Sequence, residues 1–464
     1  MRRLPALAAL LVVPWLVLQA PVAQAMGFAE AFDAARSYDA QYRAAGHERD
    51  SARLGVPIAR SYLLPSISLS ASSTEVEGHR RFGNSLNQEV RLPMDYSAPQ
   101  AALQLRAPLL NYEALLRLRM ARAQADSAQT MYEIRELELA DRLGTAYLQV
   151  LLSTEGVKLA RAEIVQLEGQ LDRSRRRLDA GEGTRTEVAQ TQAQLELARV
   201  RLVEALDQSG IARRGLQRFI GQAPLQLEAL ANDYRPAELE PPELDAWQAL
   251  AEQRNPLLRV RAQNVDMARL ATQRARASHL PRLDLVASLS HSKNESISSL
   301  NQTSSLRSVG LQLSVPIYSG GGIDATVKQT VADGERIQEE LRNERESVQF
   351  EIQRQFLLAR NGHGKVDGFL RAVQASELTL QGMTRAVLAG MATSADVLDA
   401  QTRVFASRRD LAQARYEYLA ARLRLSLQSG TPIAEAIGEI DRQLTQAVTL
   451  EDLASASRNA GGTR

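Results

Sequence analysis

Four short stretches of the chain alternate apolar and polar residues with a period of two. Ile67, Leu69 and Ala71 interleave with Ser66, Ser68, Ser70 and Ser72, and Leu103, Leu105 and Ala107 with Gln104 and Arg106. Leu283, Leu285, Ala287 and Leu289 interleave with Arg282, Asp284, Ser288 and Ser290, Val286 excepted; Val309, Leu311, Leu313 and Val315 interleave with Gly310, Gln312 and Ser314. A strand sends successive side chains to opposite faces, so each stretch has one apolar face. That pattern fits a membrane barrel strand, apolar outward and polar inward, and it also fits a surface hairpin of a soluble sheet. The strands are placed near residues 65–77, 99–108, 281–291 and 306–316, with polar, exposed loops over 78–99 and 291–305.

Between these stretches the pattern is helical and long. Residues 112–180 and 323–389 hold it without a break, about 100 Å each at the helical rise. The return legs, 187–220 and 396–429, span about 50 Å, and two lead-in segments, 27–62 and 243–279, about 55 Å. Two short helices end to end therefore match one long one.

The punctuation repeats. Pro65 and Pro281 precede the first strand of each half, and Pro108 and Pro316 close the second. Pro108 to Gly181 is 73 residues and Pro316 to Gly390 is 74, while Gly181 to Gly221 and Gly390 to Gly430 are both 40. The chain reads as a structural duplication, 26–221 and 243–430, with tips at 181–186 and 390–395, a linker at 222–242 and a tail at 431–464. Linker and tail suit a belt around the shaft. A heptad seam runs up each return leg, large at one position and small at the next. Val397, Val404, Leu411, Tyr418 and Leu425 alternate with Ala400, Ser407, Ala414 and Ala421. Val188, Leu195, Leu202 and Leu216, with Thr191, Ala198, Ala205 and Ala212, repeat it. That is the pattern of close, coiled-coil-like packing.

Composition agrees with long helices: aromatic residues are only 5%, too few for a conventional mixed core. Arg2-Arg3, an apolar run over 4–18 and Ala23-Gln24-Ala25 read as a signal peptide over residues 1–25. Arg2 and Arg3 account for the formal charge of +2, so a cleaved chain is near neutral and offers nucleic acid no basic face. Without cysteine there are no disulfides, no thiolate metal sites and no lipid-modified N-terminus. Four strands cannot close a barrel, and an open sheet in lipid leaves backbone groups unpaired, so other copies must complete it.

Candidate chemistry is sparse. His47, His79, His279, His291 and His363 stand in no metal or catalytic spacing, and no nucleophile elbow or HExxH occurs. Gly320-Gly321-Gly322 lacks the Lys-Ser/Thr ending of a phosphate loop and reads as a strand-to-helix bend. No enzyme, cofactor or metal is implied. Attention falls on the tips. Thr184 with Glu187, and Thr393 with Asp396, match a helix-start capping pattern, and Asp399 lies one turn beyond Asp396 on the same face.

Leu64-Pro65 and Leu280-Pro281 ahead of alternating strands, Val315-Pro316-Ile317-Tyr318-Ser319-Gly320-Gly321, and Gly390 followed by Asp396-Val397-Leu398-Asp399-Ala400 resemble the TolC family of outer-membrane channels. The resemblance spans residues 26–430. It implies a mainly α fold with a β-barrel portion: a homotrimer with a twelve-stranded barrel in the outer membrane and a coiled-coil tunnel in the periplasm of a Gram-negative cell. It further implies a passive exit duct for tripartite drug efflux or type I protein secretion. A periplasmic adaptor (membrane fusion) protein and an inner-membrane ABC or RND transporter would dock at the tips, Gly181, Arg185, Glu187 and Gly390. Asp396 and Asp399 would form cation-selecting rings at the aperture. The family's Arg two residues after the glycine and Tyr three before it are here Ala392 and Val387. With Arg185 the sole cation noted at the tips, a rearranged latch of Arg185 with Asp396 or Asp399 is the expectation. The competing reading is a periplasmic coiled-coil adaptor or structural protein without a barrel.

Overall fold

A computed structural model describes residues 25–83, 88–296 and 299–450. The expected signal peptide, Ala25 aside, and the tail beyond residue 450 lie outside the described residues. Each half begins with two helices where the sequence suggests one. α1 (Phe28–Tyr38) ends at Asp39, whose carboxylate accepts from the Tyr42 backbone N–H and caps α2 (Ala40–Ser61). One capping acid is enough to end a helix and start the next.

β1 (Ser66–Gly83) and β2 (Glu89–Leu110) follow as an antiparallel hairpin. From it the chain drops into α3 (Tyr112–Asp179), 68 residues and about 100 Å of helix. α4 (Arg185–Ile220) climbs back, and β3 (Gln226–Leu230) crosses the shaft. In the second half, α5 (Leu244–Arg254) and α6 (Pro256–Ala277) are divided at Asn255, which caps α6 through the Leu257 and Leu258 N–H groups. β4 (Arg282–Ser296), β5 (Ser299–Ser314), α7 (Gly322–Leu388) and α8 (Ser394–Gln428) repeat the pattern, before α9 (Ile433–Asp441) and β6 (Leu444–Thr449).

The sheet order is β1-β2-β4-β5, with β1 and β5 at its edges. Register aligns Ile67 with Leu105, Leu105 with Ala287 and Ala287 with Val309, so the apolar sets of all four strands share one face. The strands outrun the expected 65–77, 99–108, 281–291 and 306–316, and the expected loops over 78–99 and 291–305 are mostly strand. Pairing continues there because only the polarity of the faces changes, not the extended backbone. Pro93 and Pro99 fit because that part of β2 pairs with β1 alone, leaving an edge where no N–H is required. Pro108 does not close β2 but sits at a register shift within it.

The main apolar core lies halfway down the shaft. There β3 pairs with β6, Met26 bridges to Leu227, and α1 and α9 pack on α3 and α8. Tyr147, in the middle of α3 and fully buried, places its hydroxyl 2.9 Å from the Met26 carbonyl and 2.8 Å from that of Glu228. Asp441 accepts from the Phe28 and Ala29 N–H groups, tying the start of α1 to the end of α9. Above and below, the helices meet along narrow seams. Val397, Val404, Leu411, Tyr418 and Leu425 are all buried. Among the described residues no helix is long and apolar enough to cross a membrane.

One buried charge joins the two helical hairpins. Glu163 of α3 is 3% exposed, held by Arg201 of α4 at 2.8 Å and Arg409 of α8 at 3.5 Å. Removing one partner of a buried ion pair strands the others. Glu163→Ala should therefore cost about 2–4 kcal/mol, below the fully buried limit because both guanidiniums keep access to water. Hydrogen exchange along α3, α4 and α8 would read that loss, and unchanged protection would show that the clamp contributes nothing.

Candidate functional site: the paired helical tips

The two tips are built alike. α3 ends where Gly181 turns left-handed (φ 78°) and the Glu182 N–H reaches back to the Arg177 carbonyl. α7 ends with Gly390 at φ 70° and the Met391 N–H on the Ala386 carbonyl. A positive φ at this position favours glycine, and the long reach-back satisfies the helix's last carbonyls.

Each return helix then starts on a reciprocal cap. The Thr184 hydroxyl accepts from the Glu187 N–H (3.2 Å), and the Glu187 carboxylate accepts from the Thr184 N–H (3.3 Å). Thr393 and Asp396 repeat this, and the Thr393 hydroxyl also donates to the Asp396 carboxylate at 2.7 Å. Hydrogen bonds from the Thr393 N–H and hydroxyl hold the Asp396 carboxyl below the usual range. Asp396 and Asp399 stand exposed on one side of α8, while Val397, Leu398 and Ala400 face inward. Within the described residues Asp399 has no hydrogen-bond or ion-pair partner.

The tips also touch each other. A hydrogen bond from the Ser394 side chain is the main influence holding the Glu187 carboxyl below its usual range, with the Thr184 N–H and the Arg177 charge adding to it against partial burial. Ser394 is buried, and no periodicity in the sequence marks it. The idea that Arg185 is the sole cation at the tips is corrected. Arg177, in the last turn of α3, reaches the same corner and donates to the Glu182 carbonyl. The antiparallel turn brings a residue ten positions earlier alongside Glu187. Arg185 is exposed and pairs with neither Asp396 nor Asp399 within the chain. Ala392 and Val387 contribute no polar group here. Gly320 and Gly321, both with positive φ, form the bend that leads into α7.

Comparison with known proteins agrees with this architecture. The family profile described as outer membrane efflux protein matches residues 32–222 and 247–431, once for each half. The chain is 34% identical over 432 residues to the proteases secretion protein PrtF of Dickeya chrysanthemi, covering 91% of this chain and 92% of that one. The chain belongs to the outer membrane efflux protein family. It is 30% identical to the alkaline protease secretion protein AprF of Pseudomonas aeruginosa (93% and 89% covered). It is 27% identical to the outer membrane protein TolC of Escherichia coli K12 (92% and 87%). In fold it matches the CusC channel with a TM-score of 0.75 at 16% identity, covering 88% of this chain and 93% of that one. The Neisseria gonorrhoeae MtrE channel in its open state matches at 0.70 and 18% identity, covering 88% and 90%. The protein is thus a TolC-family efflux and secretion channel of the outer membrane, a helical tunnel joined to a barrel, and not an enzyme. The adaptor reading without a barrel is set aside.

Both capping acids have folded-state pKa values lowered below the unfolded ones. Their contribution is complete above the ordinary carboxylate range and is lost as pH falls through and below it. Hydrogen exchange at residues 185–188 and 394–397 should quicken in acid well before that at mid-α3. Thr393→Ala should cost α8 about 1 kcal/mol of local stability at neutral pH and flatten that acid response; an unaltered response would remove the cap from the account.

Proposed function

We propose that three copies of this chain form the closed exit duct of a type I protein secretion machine. The observation that carries the reading is the four-stranded sheet, apolar on one face, with β1 and β5 left unpaired at its edges. Unpaired strand groups cost several kcal/mol each in lipid, and only closure removes an edge. Three copies give twelve strands and room for a channel; two give eight, which side chains fill. The tunnel continues through the long helices to the tips, where a periplasmic adaptor and an inner-membrane transporter dock. Residues Gly181, Arg185, Glu187 and Gly390 lie at that end. Protein secretion, with an ABC-type transporter, is favoured over drug efflux because the protease secretion proteins PrtF and AprF match over nine-tenths of the chain.

Asp396 and Asp399 would bring six carboxylates to the aperture, a ring that holds cations. Asp396 already serves its cap, so Asp399, which has no partner among the described residues, carries more of the selectivity. Arg185, without an ion-pair partner among the described residues, would meet these acids on a neighbouring copy and latch the aperture shut.

The unheated protein should run as a trimer on gels and fractionate with outer membranes. In planar bilayers, Asp399→Ala should lower cation selectivity more than Asp396→Ala, and Arg185→Glu should raise closed-state conductance. Selectivity untouched by the double change would leave the two acids as helix-start residues alone. Deleting the gene should remove the cognate protein from the medium; undiminished secretion with lost drug resistance would favour efflux instead.

A further inference from the structure

The polar face of the sheet, which a barrel turns to its lumen, holds its charges at one level. In the described four-stranded part that face carries serines, glutamines and small or apolar residues, with three charges: Arg106, Arg282 and Asp284. All three stand in its last rows before the helices. Arg106 lies opposite Ser66, the first residue of β1, and Arg282 opens β4 opposite Ser314, the last residue of β5. Asp284 occupies the row between. The helices continue the trend. In the ten residues of α2, α3, α6 and α7 nearest the sheet there are eight Arg or Lys and two acids, Glu113 and Asp324. A cleaved chain near neutral thus concentrates positive charge at the neck, where sheet meets shaft.

The acids paired here are covered and their cations are not. Arg106 donates from Nε and Nη2 to Asp284 at 3.1 and 2.5 Å, yet its side chain is 62% exposed and that of Asp284 only 9%. Both bonds end on one carboxylate oxygen, so Arg106 keeps three of its five N–H donors. Arg282 donates to Glu113 at 2.6 Å, and Arg117 approaches the same carboxylate at 3.7 Å. One half-buried acid is thus shared by two guanidiniums. Asp324 stands within 3.3 Å of His279. Opposite charges on neighbouring strands would staple a sheet whichever partner lay outermost. A staple alone does not require the guanidinium on the outside at both pairs. A guanidinium stays charged at any physiological pH and meets a carboxylate with two parallel N–H groups. Inside a water-filled tube with low-dielectric walls, such charges add to one field.

We propose that Arg106 and Arg282 of three copies form a cationic collar inside the neck, and that it engages the carboxylates of acidic stretches in a polypeptide passing outward. This rests on the trimeric secretion duct proposed above and names the kind of segment that the duct holds. Six guanidiniums then stand at one level of the lumen, each steadied from behind by a covered acid. The tip acids lie about 100 Å away, many Debye lengths at physiological salt, so the two ends act on cargo separately. Contacts made one carboxylate at a time are exchanged one at a time, which lets an extended chain be held without being stopped.

Single trimers in planar bilayers test this, with polyglutamate added on the side where the barrel opens. The peptide should interrupt the current of the unsubstituted channel, and the interruptions should shorten as salt rises. Replacing both pairs by neutral ones, Arg106→Gln with Asp284→Asn and Arg282→Gln with Glu113→Gln, removes the guanidiniums without stranding an acid. It should shorten the interruptions about tenfold or more, the worth of one lost charge-assisted bond of about 1.5–3 kcal/mol. Arg106→Lys, which keeps the charge, should retain most of the block. Arg307→Gln, on the outward face of β5, should leave it unchanged. Unheated gels and the open-channel conductance show whether each variant still forms the trimer. An unsubstituted channel that polyglutamate does not interrupt, or equal interruption in an intact neutral-pair trimer, would overturn the collar. A chain that forms no conducting trimer at all would overturn the channel reading itself, before any peptide is added.

Discussion

Two strand edges govern this molecule. β1 and β5 each present a row of backbone donors and acceptors, and in hydrocarbon no water satisfies them. Stability cannot be assigned to one copy of the chain when its sheet is complete only in the presence of others. The helices share the condition. Leu197, Val200 and Ile211 on α4, and Phe350 and Leu357 on α7, remain exposed in the single chain. Apolar residues on helices that surround a common tunnel are buried once the neighbours arrive. The largest core that the single chain buries is the belt, with smaller clusters along the helical seams toward the tips.

The belt explains how so elongated a chain keeps its two halves in register. Tyr147, Asp441 and the β3–β6 pair join the first turn of α1, the linker and the end of α9 at one level of the shaft. Tyr418 of α8 adds a bond to the Ala237 carbonyl at the same level. Segments far apart in sequence thus fix the height at which two long helical hairpins stand side by side. The membrane end and the tip end can then differ in packing without the halves sliding past each other.

Much of the fold was legible in the sequence, for a physical reason. Long helices repeat one pattern many times, and their ends carry residues of distinct conformation, Gly181 and Gly390 above all. Most of the heptad positions named from sequence are buried in the structure, with Val188, Leu202, Ala205 and Ser407 half-buried. The strands were legible only where the lipid-facing side stays apolar; beyond the rim the alternation continues with its faces exchanged, and the stretch looks like a polar loop. The breaks at Asp39 and Asn255 depend on one capping side chain each, too local for periodicity to show. At the tips, the caps were visible as Thr184 with Glu187 and Thr393 with Asp396. Arg177 reaches Glu187 only through the geometry of the turn, and Ser394, like the Glu163 clamp, depends on contacts between elements remote in the chain; spacing alone encodes neither.

Glu163 gives the shaft a mechanical division. It lies 18 residues above Gly181 on α3, a distance of about 27 Å along the helix. Both return helices are anchored to it, one from each hairpin. Below that anchor Leu398 of α8 packs with Leu167 and Leu171 of α3 and Leu195 of α4, so the two hairpins run to the tips together; above it the helices are bound into the belt. A swing of about ten degrees at the anchor would carry a tip about 5 Å, from the length of the arm. Such leverage would turn a small rotation about one buried carboxylate into a displacement as wide as a side chain, with the core halfway up the shaft left at rest.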